Sequence, residues 1–144
     1  MLEAIEAGAE LQLEGALYEV IARAWRVRGG GEAPALDLAR ARSYVAAHYR
    51  ETVRLADVAS AAEAPLRGLS QRFRDAFGVT PLELVRTLRI EESAARLAGS
   101  DAPIDEIALR CGFWDRAHLT RELRNATGLT PARFRDAARG ASRG

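Results

Sequence analysis

Leu69-Ser70-Gln71-Arg72-Phe73-Arg74-Asp75-Ala76-Phe77-Gly78-Val79-Thr80-Pro81 is echoed fifty residues later by Leu119-Thr120-Arg121-Glu122-Leu123-Arg124-Asn125-Ala126-Thr127-Gly128-Leu129-Thr130-Pro131. Leu69, Phe73 and Arg74 stand at the offsets of Leu119, Leu123 and Arg124, and each copy closes on Gly, an apolar residue, Thr and Pro. Upstream, Leu55-Ala56-Asp57-Val58-Ala59 matches Ile104-Asp105-Glu106-Ile107-Ala108 at a spacing of 49. The second copy therefore carries one extra residue between its halves. Self-similarity of this kind marks one supersecondary unit built twice.

Each copy reads as short helix, tight turn, longer helix, glycine stop and Thr-Pro restart. Gly78 and Gly128 are placed to end a helix in the left-handed conformation. Thr80-Pro81-Leu82-Glu83 is a capping box with Pro at the first helical position. Working outward, apolar spacing predicts helices over 36–48 (with Leu38, Ala41, Val45 and Ala46 on one side), 55–62, 65–77, 81–98, 103–110, 115–127 with Asp115 as cap, and 130–139. No alternating apolar run suggests a strand. The fold expected is all-α: two helix-turn-helix units, about 54–78 and 103–128, joined by a linker helix over 81–98, in a domain spanning 38–139. Leu/Ile and Val/Ile of each short helix pack on Leu69 and Phe73, or on Leu119 and Leu123, leaving one face of each longer helix free. Eighteen linker residues rise about 27 Å, close to the roughly 34 Å of one DNA turn.

Charge follows the same division. Residues 1–37 hold three Arg against seven acids, a net of −4, and residues 38–144 hold 18 Arg against 13 acids, a net of +5. The positive charge lies in the repeated segment, as binding to nucleic acid requires. Every basic residue is Arg. A GC-rich coding bias would give Arg and Ala together, but Arg also suits phosphate and guanine better than Lys does. The single Cys111 excludes an internal disulfide and a thiolate metal site, and His48 and His118 lie in no ligand-like cluster, so neither metal nor cofactor is expected. Paired carboxylates, a nucleophile–base pair and a Gly-rich phosphate loop are all missing, which argues against an enzyme. No run of about 18 apolar residues suggests a membrane span, and no leader pattern opens the chain, so a cytoplasmic protein is expected.

Ile107-Ala108-Leu109-Arg110-Cys111-Gly112-Phe113-Trp114-Asp115, then Leu119-Thr120-Arg121, then Gly128-Leu129-Thr130-Pro131-Ala132-Arg133-Phe134-Arg135 resembles the C-terminal signature of AraC/XylS-type transcription regulators. Arg89-Ile90 and Gly78-Val79-Thr80-Pro81 resemble that family as well, and the likeness covers about residues 38–137. The resemblance implies a seven-helix domain that binds double-stranded DNA and contacts RNA polymerase, with its third and sixth helices in the major groove. It implies base readers at Arg67, Ser70 and Gln71 in the first unit, and at Arg116, Ala117, Thr120 and Arg121 in the second. Spacing agrees for the first set, since i, i+3 and i+4 share a helical face opposite Leu69 and Phe73. Three departures stand out. Pro65 replaces a usual capping Ser and shifts the helix start by one residue, Leu119 and Leu123 replace Phe, and Ala117 offers only a methyl.

Arg74 and Arg124 are divided evenly between phosphate contact and solvated surface; Arg50 and Arg54 have weaker claims. Arg89 is expected to serve as a structural ion-pair partner, Cys111 as a buried inert thiol at a turn, and Trp114 as a staple for the helix Asp115 begins. Residues 1–28 form an amphipathic helix with Leu13, Leu17, Val20, Ile21, Ala24 and Val27 on one stripe, and residues 29–37 form a linker. That stripe has two open destinations: the DNA-binding core, or a second copy in a homodimer through residues 10–28. It resembles the end of a dimerising sensor domain, so the chain is expected to be a fragment of a larger regulator or a reduced relative of one. The alternative function is a protein-interaction module in which DNA contact is incidental.

Overall fold

The computed structural model describes residues 35–142, with side chains through 140. The expected N-terminal helix over 1–28 and linker residues 29–34 lie outside the described residues. Within them the backbone forms seven helices and no strand: α1 Leu36–His48, α2 Leu55–Ala62, α3 Leu69–Phe77, α4 Pro81–Gly99, α5 Ile104–Arg110, α6 Arg116–Thr127 and α7 Pro131–Ser142. The all-α expectation is borne out. The chain divides into two compact units inside α4, between Arg89 and Ile90.

The first unit packs Leu38, Ala41 and Val45 of α1, Val58, Ala59 and Ala62 of α2, Leu69, Phe73 and Phe77 of α3, and Leu84, Val85 and Leu88 of α4 into one core. Phe73 and Phe77 meet edge to face, 4.6 Å between ring centroids. Ala46, expected on the packed side of α1, is exposed, because it lies about 100° round the helix from Val45. The second unit packs Ile90, Ala94 and Leu97 of α4 with Ile107, Ala108, Cys111, Phe113, Leu119, Leu123, Leu129 and Phe134. Cys111 occupies the repeat position of Ala62 and is fully buried, as the small-residue reading of that turn expects.

In each unit one arginine closes the loop that leads into the helix-turn-helix. Arg89 donates from Nε to the Tyr49 carbonyl at 2.6 Å and from Nη2 to the Glu51 carbonyl at 2.8 Å. Arg135 donates to the carbonyls of Leu97 and Ala102 at 3.2 and 2.6 Å. Both carbonyl bonds give Arg89 a structural role.

One helix begins elsewhere than its sequence suggests. The expected helix over 65–77 is α3, Leu69–Phe77, preceded by a turn in which the Leu69 N–H reaches the Leu66 carbonyl at 3.3 Å. Pro65 disfavours the α conformation at residue 64, and Gly68 sits at φ 80°, which ends any helical run. Glycine takes that conformation without strain. Arg67 therefore lies in the turn, and its helical spacing to Ser70 and Gln71 does not hold.

Candidate nucleic-acid interface

Helix α6 is built to hold one face outward. Asp115, extended at the N-cap, accepts from the His118 N–H at 2.8 Å. His118 answers: its Nδ1 accepts from the Trp114 N–H at 3.1 Å, which requires Nδ1 to be unprotonated. The His118 ring stands edge to face on Phe113 at 5.2 Å, and its Nε2 faces Glu122 at 4.0 Å. One orphan donor of the helix start, the His118 N–H, is thereby satisfied, together with the Trp114 N–H just before the cap. Leu119 and Leu123, i and i+4, bury one side completely. Arg116 and Thr120, with Ala117 and Arg121, form two i, i+4 pairs elsewhere on the surface; Arg116, Ala117 and Arg121 are exposed and Thr120 is half-buried. The Thr120 hydroxyl donates back to the Arg116 carbonyl at 2.8 Å, so only its lone pairs remain to accept. Trp114, expected to staple this helix, is instead 85% exposed; its backbone, not its indole, makes the bond at the helix start.

Helix α3 presents Ser70, half-buried, and Gln71, exposed, with exposed Arg67 in the turn before it. Its polar groups are largely engaged. Gln71 Nε2 donates to Asp75 at 2.8 Å, Arg72 pairs with Asp37 at 2.7 Å, and Arg74 pairs with Glu83 at 2.8 Å. The Arg72 hydrogen bond holds the Asp37 carboxyl below its ordinary pKa of 3.8, against the opposing effect of burial. Thr80 and Glu83 form the capping box reciprocally, at 3.3 and 3.2 Å. Arg74 thus joins α3 to α4. On α6, Arg116, Arg121 and Arg124 make no ion pair among the described residues.

His48 stacks on Tyr44 at 4.3 Å and bonds Glu51 at 2.9 Å. No group of three metal-ligating side chains occurs among the described residues, and none of their helices is long and apolar enough to cross a membrane. Sequence reasoning placed the readers on the surface but missed the His118 cap and the Arg74–Glu83 and Arg72–Asp37 pairs. The first had a signal, a hydrogen-bonding side chain three residues after a capping Asp.

In each unit a short helix is followed across a turn by a second helix packed into the same core, which defines a double helix-turn-helix domain. A helix-turn-helix domain family model matches residues 58–137. The chain is 34% identical over 91 residues to the transcriptional activator RhaS of Pectobacterium carotovorum, covering 63% of this chain and 33% of that protein. Among solved structures it resembles the DNA-binding domain of AdpA, a global transcriptional factor crystallised with a target DNA, at 31% identity and TM-score 0.68, covering 73% of this chain and 95% of that one. It also resembles the C-terminal domain of AraT, a response regulator from Geobacillus stearothermophilus, at 27% identity and TM-score 0.66, covering 69% and 84%. The chain belongs to the AraC family of helix-turn-helix transcription regulators. It spans about a third of the length of RhaS, and these relatives are regulators, not enzymes.

Proposed function

We propose that this chain binds double-stranded DNA with sequence specificity and regulates transcription, in the cytoplasm, with α3 and α6 in successive major-groove segments. The observation that carries the reading is the exposed face of α6, where Arg116, Ala117 and Arg121 stand clear of any ion pair among the described residues while Leu119 and Leu123 anchor the opposite side. A major groove admits a helix of this width. Arg116 and Arg121 suit guanine, Ala117 offers a methyl to thymine, and Thr120 reads less selectively. In the first unit Arg67 suits guanine and Gln71 adenine, once Gln71 leaves Asp75; Ser70 accompanies them. Arg124 faces phosphate, while Arg74 reaches one only by leaving Glu83. The likeness to a domain crystallised with target DNA supports the same reading.

Selection from random duplexes tests it. The expected site has two short blocks about ten base pairs apart. Binding without sequence preference and without a steep loss in salt would instead favour a protein-interaction module. Contact with RNA polymerase and pairing of two chains through residues 10–28 belong to the same proposal; a strict monomer by light scattering at high concentration removes the second.

A further inference from the structure

The two junctions at which a recognition helix hands over to the next helix have the same backbone. Gly78 closes α3 at φ 81° and ψ −5°, and Gly128 closes α6 at φ 78° and ψ −3°. The Gly78 N–H reaches the Arg74 carbonyl at 2.7 Å, and the Gly128 N–H reaches the Arg124 carbonyl at 2.8 Å. Thr80 Oγ1 accepts from the Glu83 N–H at 3.2 Å, and Thr130 Oγ1 from the Arg133 N–H at 3.3 Å. Arg74 and Arg124 are therefore equivalent, and so are Glu83 and Arg133.

The side chains differ where the backbone does not. At the first junction the two positions carry opposite charges and meet at 2.8 Å. At the second, both are arginines, both are exposed, and neither forms an ion pair among the described residues. Arg133 also breaks two local rules. It sets a cation in the first turn of α7, where the helix dipole favours an acid, and it gives up the reciprocal cap that Glu83 makes. Positions at which local preference fails without a gain inside the fold mark functional sites. Two guanidinium groups at positions whose sister side chains meet repel each other, and an anion between them removes the repulsion. Their donor forks match phosphate oxygens.

We propose that Arg124 and Arg133 form a clamp for a phosphate of the DNA backbone, and that the first unit carries an internal ion pair in its place. The inference rests on the reading of the chain as DNA-binding. It makes the second unit the electrostatic anchor.

Fluorescence anisotropy of the full chain with a labelled random-sequence duplex, across a salt series, tests the clamp. The slope of log affinity against log salt falls by about 0.9 for each phosphate that the protein no longer neutralises. Arg124→Ala and Arg133→Glu are each expected to lower the slope by about that amount. Arg110→Ala, which removes one charge from an arginine paired with Glu106 at 3.0 Å, is expected to leave it unchanged. Arg133→Glu restores an acid to the helix start, so its melting temperature should not fall, which separates weakened binding from weakened folding. An unchanged slope for Arg133→Glu, or an equal fall for Arg110→Ala, overturns the clamp. If wild-type protein still selects a two-block site while Arg133→Glu keeps its slope, only the clamp falls. If wild-type protein shows no salt-dependent binding, the DNA reading falls and the clamp with it.

Discussion

Helices α3 and α6 descend from one pattern and begin differently. The repeat sets Leu66 against Arg116, yet α6 starts at Arg116 while α3 waits until Leu69. Their buried sides correspond, with Leu69 and Phe73 matching Leu119 and Leu123, all fully buried. The core therefore does not explain the missing turn. Asp115 binds the third N–H of α6 and His118 the N–H just before its cap, whereas the first unit has Pro65, no capping side chain and Gly68 in the left-handed region. Apolar contacts decide where a recognition helix lies, and its end residues decide how much of it is helix. Charge is distributed just as unequally: Gln71, Arg72 and Arg74 are each held by an acid, while Arg116, Arg121, Arg124 and Arg133 are held by none among the described residues.

The largest expected effects test whether the cores are equivalent. Leu84 and Phe134 occupy the same repeat position and both are buried. Phe134→Ala should cost about 3–5 kcal/mol and Leu84→Ala about 2–5 kcal/mol, measured by urea unfolding. A loss below about 1 kcal/mol at either would show that the cores are not counterparts.

Next come the helix starts. Asp115→Ala should cost about 0.5–2 kcal/mol by removing the cap. Gly68→Ala should cost about 1–2 kcal/mol through the left-handed backbone, and through nothing else, since an added Cβ meets no atom within 4 Å. A stabilised Gly68→Ala would mean that α3 extends toward Pro65 once given a better helix former. Smaller still is Glu83→Gln. The amide keeps the capping geometry and releases Arg74, so affinity for random duplex should rise; a fall would show that the pair presents Arg74 to DNA and does not withhold it.

The smallest effect concerns pH. The pKa of Asp37 is lowered by Arg72, so the pair's contribution is complete above the ordinary 3.8 and fades as pH falls through the lower folded value. The acid limb of the stability curve should flatten in Arg72→Ala. An unchanged limb would show that the α1–α3 pair contributes nothing measurable, as is common for exposed pairs.

Much of the fold was legible because its signals are local and repeated. Gly78 and Gly128, Thr80-Pro81 and Thr130-Pro131, and Asp115 each fix a helix end through backbone bonds within a few residues. The start of α3 was not, because apolar spacing runs through Gly68 without registering its φ. The readers on α6 could be placed by the i, i+4 rule once Leu119 and Leu123 were assigned inward. Arg67 could not, since that rule fails in a turn. Pairs such as Arg72–Asp37, 35 residues apart, depend on packing that no short window contains. Arg133 stands out only by its backbone equivalence to Glu83, since both N–H groups bond the threonine hydroxyl three residues earlier.

The claim that the two units read DNA separately is tested most directly by repeating the random-duplex selection with Gln71→Ala and with Arg121→Ala. Gln71→Ala should relax one block and Arg121→Ala the other, each by about 1–3 kcal/mol of base discrimination. Relaxation of the same block by both variants, or of neither block, would contradict it.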